Sequence, residues 1–313
     1  MKIAIIGAGG VGGLFGAHLV RGGADVTFIA RGAHLAAMQA DGIRIEGVPG
    51  GDVHVPKVAA TDDPATVGPV DLVMVAVKLG ATEAALAAAR PLVGPDTALV
   101  SFQNGVLKDD MLRAAFDPAR IFGGVAYVGS AIDRPGVIRQ TGPMQRLVFG
   151  EFDGSRSARV AAFLAACQAG GINAEIAPDI RRAIWEKFVF LVGLSGTTAT
   201  MRVPIGPIRT NPQTRAFLLD VMREVVAVGR AHGVDLPADY AEIRLELADD
   251  VSPAMTSSLH HDLQRGNALE APWLAGGVVD LGRQVNVPTP LNRAIADILA
   301  LYVAGTPAEA NGP

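Results

Sequence analysis

The chain opens on a short apolar run, Lys2–Ile6, followed at once by Gly7-Ala8-Gly9-Gly10-Val11-Gly12 and a segment of helical composition, Gly10–Arg21. This order constrains the fold more than any other feature. The spacing G-x-G-x-x-G says little alone. Between a buried strand and a helix it is the context of a dinucleotide-binding turn. Gly7 would permit the tight turn, Gly9 would let a pyrophosphate approach the backbone, and Gly12 would let helix and strand pack closely. The free N–H groups at the helix start, at Gly10 and Val11, would face the phosphates. The competing reading is an ordinary glycine-rich turn.

The segments that follow support the first reading. Strands are expected at Asp25–Ala30, Asp71–Val77 and Ala98–Phe102, and helices at Leu35–Ala40 and Thr82–Ala89. Continuous apolar strands joined by helices indicate a parallel sheet covered on both faces. Ile43–Glu46 and Val53–Val58 read as a small hairpin. Ile121–Val128, Gly136–Gln140 and Arg146–Phe149 read as an antiparallel extension, followed by a helix at Arg156–Ala169 and a strand at Ile172–Ile176. After Pro178 the pattern turns helical, with helices expected at 180–200, 212–232, 237–249, 254–265, 272–284 and 289–303. Pro212, Pro237 and Pro272 suit first-turn positions, where a missing N–H costs nothing, and Gly233 and Gly266 suit helix ends. The expectation is an α/β Rossmann-type dinucleotide-binding domain over residues 1–178 and an all-α domain over 179–313, with a loose tail from Gly305.

The tip of the second strand selects the nucleotide. An NAD site usually places Asp or Glu there, on the ribose 2′-hydroxyl. This chain has Phe28-Ile29-Ala30-Arg31-Gly32, with no acid and with Arg31 in its stead. A guanidinium pairs well with a 2′-phosphate, which favours NADP(H). Lys78 and Asn104 follow two further parallel strands, at the carboxyl ends where open α/β sheets bind ligands. Either can also be read as a loop residue.

In the helical half, Lys187 begins a stretch that is apolar nearly all round, Phe188–Val192. It is either an exposed end residue or a functional cation; a desolvated lysine transfers protons near neutrality. Leu191 and Ser195 share its helical face. Glu270 precedes Pro272 near a helix start, where a carboxylate is favoured by the dipole with or without a catalytic role. Ser258 alone would be unremarkable.

Composition narrows the classes. With 27 Lys and Arg against 31 Asp and Glu, the net charge of −4 argues against a nucleic-acid partner. In the helical half the uncharged stretch Phe188–Met201 is shorter than a membrane span, which needs roughly 18 to 20 residues. The single cysteine, Cys167, lies in an apolar helical run and reads as core; a lone thiol points to a reducing, cytoplasmic setting. The N-terminus lacks the features of a signal peptide. His260 and His261 are adjacent and suit no common zinc spacing, so no metal is expected. The apolar helical half would support a homodimer, without placing its interface.

Taken in order, these landmarks resemble the ketopantoate reductase (2-dehydropantoate 2-reductase) family over nearly the whole chain. The set is the initial GAGGVGG, Arg31, Val77-Lys78, Asn104-Gly105, Trp185-Glu186-Lys187, Ser257-Ser258, Glu270 and Val287-Pro288-Thr289-Pro290. The resemblance implies an NADPH-dependent reduction of a 2-oxo acid, in the pathway to pantothenate. Lys187 would be the general acid and Glu270 its orienting partner. Asn104 would lie near nicotinamide and substrate, Ser258 would bond the substrate, and Arg31 and Lys78 would hold the cofactor. A cleft between the halves would close around the complex. Two departures stand out: Leu191 and Ser195 occupy positions where such enzymes typically carry asparagines, and Glu270-Ala271-Pro272 keeps the glutamate but not the rest of the E-I/V-D pattern that they often show. Losing a polar grip in the pocket points to a substrate less polar than ketopantoate. A 2-hydroxy-acid or opine-type dehydrogenase, or a non-catalytic NADP-binding sensor, are the alternatives.

Overall fold

The computed structural model describes residues 1–307. The chain divides into two compact units, Met1–Asn104 with Lys108–Ala183, and Gly105–Leu107 with Ile184–Pro313. The first unit runs β1 (Lys2–Ile6), α1 (Gly10–Arg21), β2 (Asp25–Ile29), α2 (Gly32–Asp41), β3 (Ile43–Glu46), β4 (Val53–Val55), β5 (Ala59–Thr61) and β6 (Leu72–Val75). It continues with α3 (Thr82–Ala89), β7 (Ala98–Ser101), α4 (Lys108–Ala115), β8 (Ile121–Arg134), β9 (Val137–Gly150), α5 (Ala158–Ala169) and β10 (Asn173–Ile176).

The strands β5, β2, β1, β6, β7 and β8 lie side by side and all pair in parallel. Side-chain alternation explains why their sequences are apolar throughout. Ile3, Ile5, Leu72 and Met74 enter one core with Leu14, Phe15 and Phe28. Their neighbours Ala4, Ile6, Val73 and Val75 enter another, with Leu86, Leu92 and Leu99. The sheet is thus buried on both faces, as expected of a Rossmann-type unit.

Beyond β8 the sheet is mixed, where the sequence pattern suggested an antiparallel extension: β9 is antiparallel to β8, β3 and β10 run parallel to β9, and β4 is antiparallel to β3. β8 and β9 form one long hairpin, with register shifts at Val128/Gly129 and Ile132/Arg134; β3 and β10 both pair with β9, and β4 closes the edge on β3. The sequence pattern suggested three shorter strands here. It loses its apolar period because the far end of the hairpin is exposed and carries charge: Arg134 and Arg139 both reach Glu46 and Asp133. β5, three residues on an outer edge, left no readable pattern. Cys167 belongs to the core, and burial pushes its thiol up to about 12.

The second unit is helical: α6 (Ile180–Met201, whose first turn lies in the other unit), α7 (Ile205–Thr210), α8 (Pro212–Ala231), α9 (Tyr240–Asp250), α10 (Ser258–Arg265), α11 (Ala275–Gln284) and α12 (Pro290–Leu299). Trp185, Phe188 and Val192 of α6 share a core with Val221, Met222 and Val225 of α8. α7 was hidden by Pro207 and its six-residue length. Pro212 does occupy the first turn of α8, but Pro237 and Pro272 sit three residues ahead of α9 and α11, in turns. Gly233 and Gly266 adopt the left-handed backbone expected at helix ends. Gly305 is buried and Thr306 donates its N–H to the Gly266 carbonyl, so the expected loose tail does not begin at Gly305; residues 308–313 lie outside the described part. No described helix is long and apolar enough to cross a membrane.

Candidate active site

In the first unit the sequence-predicted residues gather along one edge of the parallel sheet. The glycine turn follows β1, Arg31 follows β2, Lys78 follows β6 and Asn104 follows β7, and these four strands are consecutive in the order β2-β1-β6-β7. Gly7 holds a positive φ of 97°, and a Cβ there would stand 2.8 Å from the Val77 backbone nitrogen. At Gly12 a Cβ would stand 2.0 Å from the Gly7 carbonyl oxygen, so helix and turn meet at backbone distance. Gly9 contrasts with both: a Cβ would find nothing within 4 Å. Space beside the turn, next to the first-turn N–H groups of Gly10, Val11 and Gly12, is what a pyrophosphate needs. The residues present therefore fit a dinucleotide. Gly10 has a further duty not foreseen, because a Cβ there would strike the Ser130 carbonyl at 2.3 Å.

Arg31 is exposed and extended, one residue before α2. Lys78 is exposed at the start of a short 3-10 turn, and Asn104 is half-buried ahead of Gly105, whose φ is +84°.

Two positioning residues escaped sequence reasoning. Gln103 is buried. Its amide nitrogen donates to the Val77 carbonyl at 2.8 Å and to the Thr82 hydroxyl at 2.7 Å, and its carbonyl accepts from the Ser101 hydroxyl at 2.9 Å. It thereby ties the backbone before Lys78 to the backbone before Asn104. His34 supports the glycine turn. Its Nδ1 accepts from the Gly136 N–H at 3.1 Å, so the neutral ring donates from Nε2 to the Ala8 carbonyl at 2.9 Å. Burial lowers its pKa from the usual 6.5, against the raising effect of the Ala8 bond, which keeps the ring in the form these two bonds require.

In the second unit, α6 carries Lys187, Leu191 and Ser195 at four-residue intervals, hence on one face. Lys187 and Leu191 are half-buried; Ser195 is buried. Thr197, Thr198 and Thr200 return their hydroxyls to carbonyls four residues back, whereas the Ser195 hydroxyl has no partner. Ser258 is the exposed first residue of α10, and Ser257 caps that helix through the His260 N–H at 3.1 Å. The Ser257 and Thr198 hydroxyls are 3.1 Å apart, and His260 Nδ1 donates to the Thr198 carbonyl at 2.7 Å, so the start of α10 is pinned to α6 one turn beyond Ser195. His260 and His261 thus serve hydrogen bonds, the latter to Thr256, and no described residues form a metal-ligand cluster. Glu270 is half-buried. Its carbonyl accepts from the N–H groups of Trp273 and Leu274, and α11 begins only at Ala275. Glu270 is therefore a turn residue, five positions ahead of the helix, and the expected first-turn dipole role is withdrawn. Ala271 is buried in the helical core.

Comparison with known proteins gives this arrangement its context. The profile "Ketopantoate reductase PanE/ApbA" matches residues 3–154, and "Ketopantoate reductase PanE/ApbA C terminal" matches residues 179–303. A 2-dehydropantoate 2-reductase of Mesorhizobium japonicum is 34% identical, over 94% of this chain and 95% of its own. The crystal structure of the 2-dehydropantoate 2-reductase of Geobacter metallireducens superposes with a TM-score of 0.89 at 29% identity, covering 96% of this chain and 99% of that one. A D-mandelate dehydrogenase, solved with NADH and anilino(oxo)acetate, shares the fold at a TM-score of 0.87 and 19% identity, covering 97% of this chain and 98% of that one. The chain belongs to the ketopantoate reductase family and is an oxidoreductase acting on a CH–OH group.

Proposed function

We propose that the protein reduces a 2-oxo acid to the 2-hydroxy acid with NADPH, residues 1–178 holding the nucleotide and 179–313 the substrate. Gly7, Gly9, Gly10, Val11 and Gly12 receive the pyrophosphate. Arg31 pairs with the 2′-phosphate, and Lys78 and Asn104 stand toward the nicotinamide end. The bound nucleotide supplies a hydride to the 2-carbon. Lys187 Nζ gives a proton to the carbonyl oxygen and stabilises the negative charge that develops there. Glu270 orients the lysine, and Ser258 and Asn104 bond the substrate. The observation that carries this reading is Lys187, half-buried about two turns into α6 and followed there by an apolar run, in a chain of this family. Leu191, one turn on, gives that face an apolar surface, so the substrate is ketopantoate or a less polar, bulkier 2-oxo acid.

The test is the initial rate of NADPH oxidation with ketopantoate beside bulkier 2-oxo acids, with NADH in parallel. Lys187→Ala should lose at least about a hundredfold in kcat, the scale of general acid catalysis, while still binding nucleotide. Tight NADPH binding with no turnover on any 2-oxo acid would leave a nucleotide sensor instead.

A further inference from the structure

The outermost parallel strand ends in an acid beside Arg31. β5 pairs in parallel with β2, Thr27 to Ala59, Phe28 to Ala60 and Ile29 to Thr61. The pairing runs one step past both strands, where the Ala30 N–H donates to the Thr61 carbonyl at 3.0 Å. Asp62 therefore stands at the register position of Ala30. Arg31 follows Ala30 in extended backbone, with φ −142° and ψ 161°. Strands lie about 4.8 Å apart and rise about 3.3 Å per residue, so the Cα atoms of Asp62 and Arg31 are about 6 Å apart. A further bond fixes the two elements. Gln39 of α2, the helix that starts after Arg31, donates from Nε2 to the Ala60 carbonyl at 3.0 Å.

Both side chains are exposed, and neither is engaged. Among the described residues Arg31 and Asp62 take part in no ion pair and in no side-chain hydrogen bond. Asp63 differs. Its carboxylate accepts from the Ala65 N–H at 3.0 Å, its own N–H donates to the Thr61 hydroxyl at 3.1 Å, and its carbonyl accepts from the Thr66 hydroxyl at 2.7 Å. Asp63 thus builds the turn that leaves β5, and the backbone of Asp62 is held on both sides. The Asp62 carboxylate itself has no duty in that turn.

The sheet order β6-β1-β2-β5 places this carboxylate along the nucleotide edge. With the pyrophosphate at the turn after β1 and the 2′-phosphate at the tip of β2, the tip of β5 is the next position outward. A charge there acts without contact, because fields in water reach about 10 Å at 0.1 M salt. A phosphate monoester carries about −1.5 to −2 at neutral pH. The 2′-hydroxyl of NADH is neutral. We infer that Asp62 is a specificity-determining residue that offsets Arg31: its carboxylate weakens the hold on the 2′-phosphate of NADPH and leaves the hold on NADH unchanged. The chain then discriminates between the two nucleotides less than Arg31 alone would make it. This inference rests on the assignment of Arg31 to the 2′-phosphate.

The test is the Kd of NADPH and of NADH, read from the fluorescence of each nucleotide on the full chain, in the parent, Asp62→Asn and Arg31→Gln. Asp62→Asn should tighten NADPH at least about threefold at an ionic strength of about 0.01 M, with NADH and the melting temperature unchanged. The gain should vanish near 1 M salt, where the screening length is about 3 Å. Arg31→Gln should weaken NADPH at least about tenfold and spare NADH. Asp62→Asn silent toward NADPH, beside that selective loss in Arg31→Gln, would overturn this proposal alone and leave Asp62 a solvated strand end. An equal change for both nucleotides, or a gain that persists at 1 M salt, would also overturn it, since neither comes from charge acting on the 2′-phosphate. No selective loss in Arg31→Gln would remove the assignment of Arg31, and the offset with it.

Discussion

At the scale of single residues, the groups that hold the nucleotide edge together differ from those the sequence advertises. Arg31, Lys78 and Asn104 stand out because each follows an apolar strand. Gln103 does not, because Gln103-Asn104-Gly105 reads as a polar turn, and its partners Ser101, Thr82 and Val77 come from separate segments. Gln103→Leu would leave those partners unpaired at a cost of about 2 kcal/mol. It should also raise the KM for nucleotide more than it lowers kcat, since it loosens the strand ends and leaves Lys187 in place. Denaturant unfolding and steady-state kinetics measure both, and an unchanged KM would show that Gln103 is mere packing. His34 makes a pH prediction. Its folded pKa lies below the unfolded 6.5, so the unfolded chain takes up the proton first. The neutral ring's contribution is full above about pH 6.5 and is lost as pH falls from there through the folded pKa. The melting temperature should decline below that point, and less steeply in His34→Gln; identical slopes would sink the assignment.

Among the elements, the parallel sheet was the most legible, since a strand buried on both faces is apolar at every position. α1 was legible for a different reason. Its glycines are poor helix formers, and they are tolerated because the packing demands them. At Gly16 a Cβ would stand 2.3 Å from the Phe28 ring, and at Gly12 it would meet backbone. The hairpin β8–β9 was legible only where it is buried, and the turn holding Glu270 was misread because Pro272 resembles a helix start. The glycine turn makes its prediction at this level. Gly12→Ala should destabilise the unit by about 3 kcal/mol or more, because the carbonyl it meets cannot yield as a side chain would. Gly9→Ala has open space and should leave the melting temperature unchanged while lowering nucleotide affinity at least about tenfold, through loss of close backbone approach. If the two variants behaved alike, the turn would be structural only.

For the whole molecule, the change from alternating strands and helices to helices alone located a transition near residue 178, but a one-dimensional pattern cannot show that the chain crosses between units more than once. The helical unit includes Gly105–Leu107, which precedes most of its sequence by some eighty residues. Val106 and Leu107 pack against the helical core, and the Leu107 side chain stands 3.2 Å from where a Cβ on Gly277 would be. Three residues just after Asn104 are too few to show a period, so nothing in the sequence marked them as core. The consequence is that residues 179–313 are not a self-sufficient folding unit. Expressed alone they would expose the apolar surface that Val106 and Leu107 cover. Each half-buried aliphatic side chain is worth about 1 kcal/mol in area removed from water. The fragment should unfold at a lower temperature than the intact chain and bind a hydrophobic dye. Leu107→Ala in the intact chain should reproduce part of that loss, about 1 kcal/mol. A fragment that melts cooperatively at the temperature of the intact protein, with a silent Leu107→Ala, would show that the early segment only passes by the helices and that the two halves are separable where the sequence pattern changes.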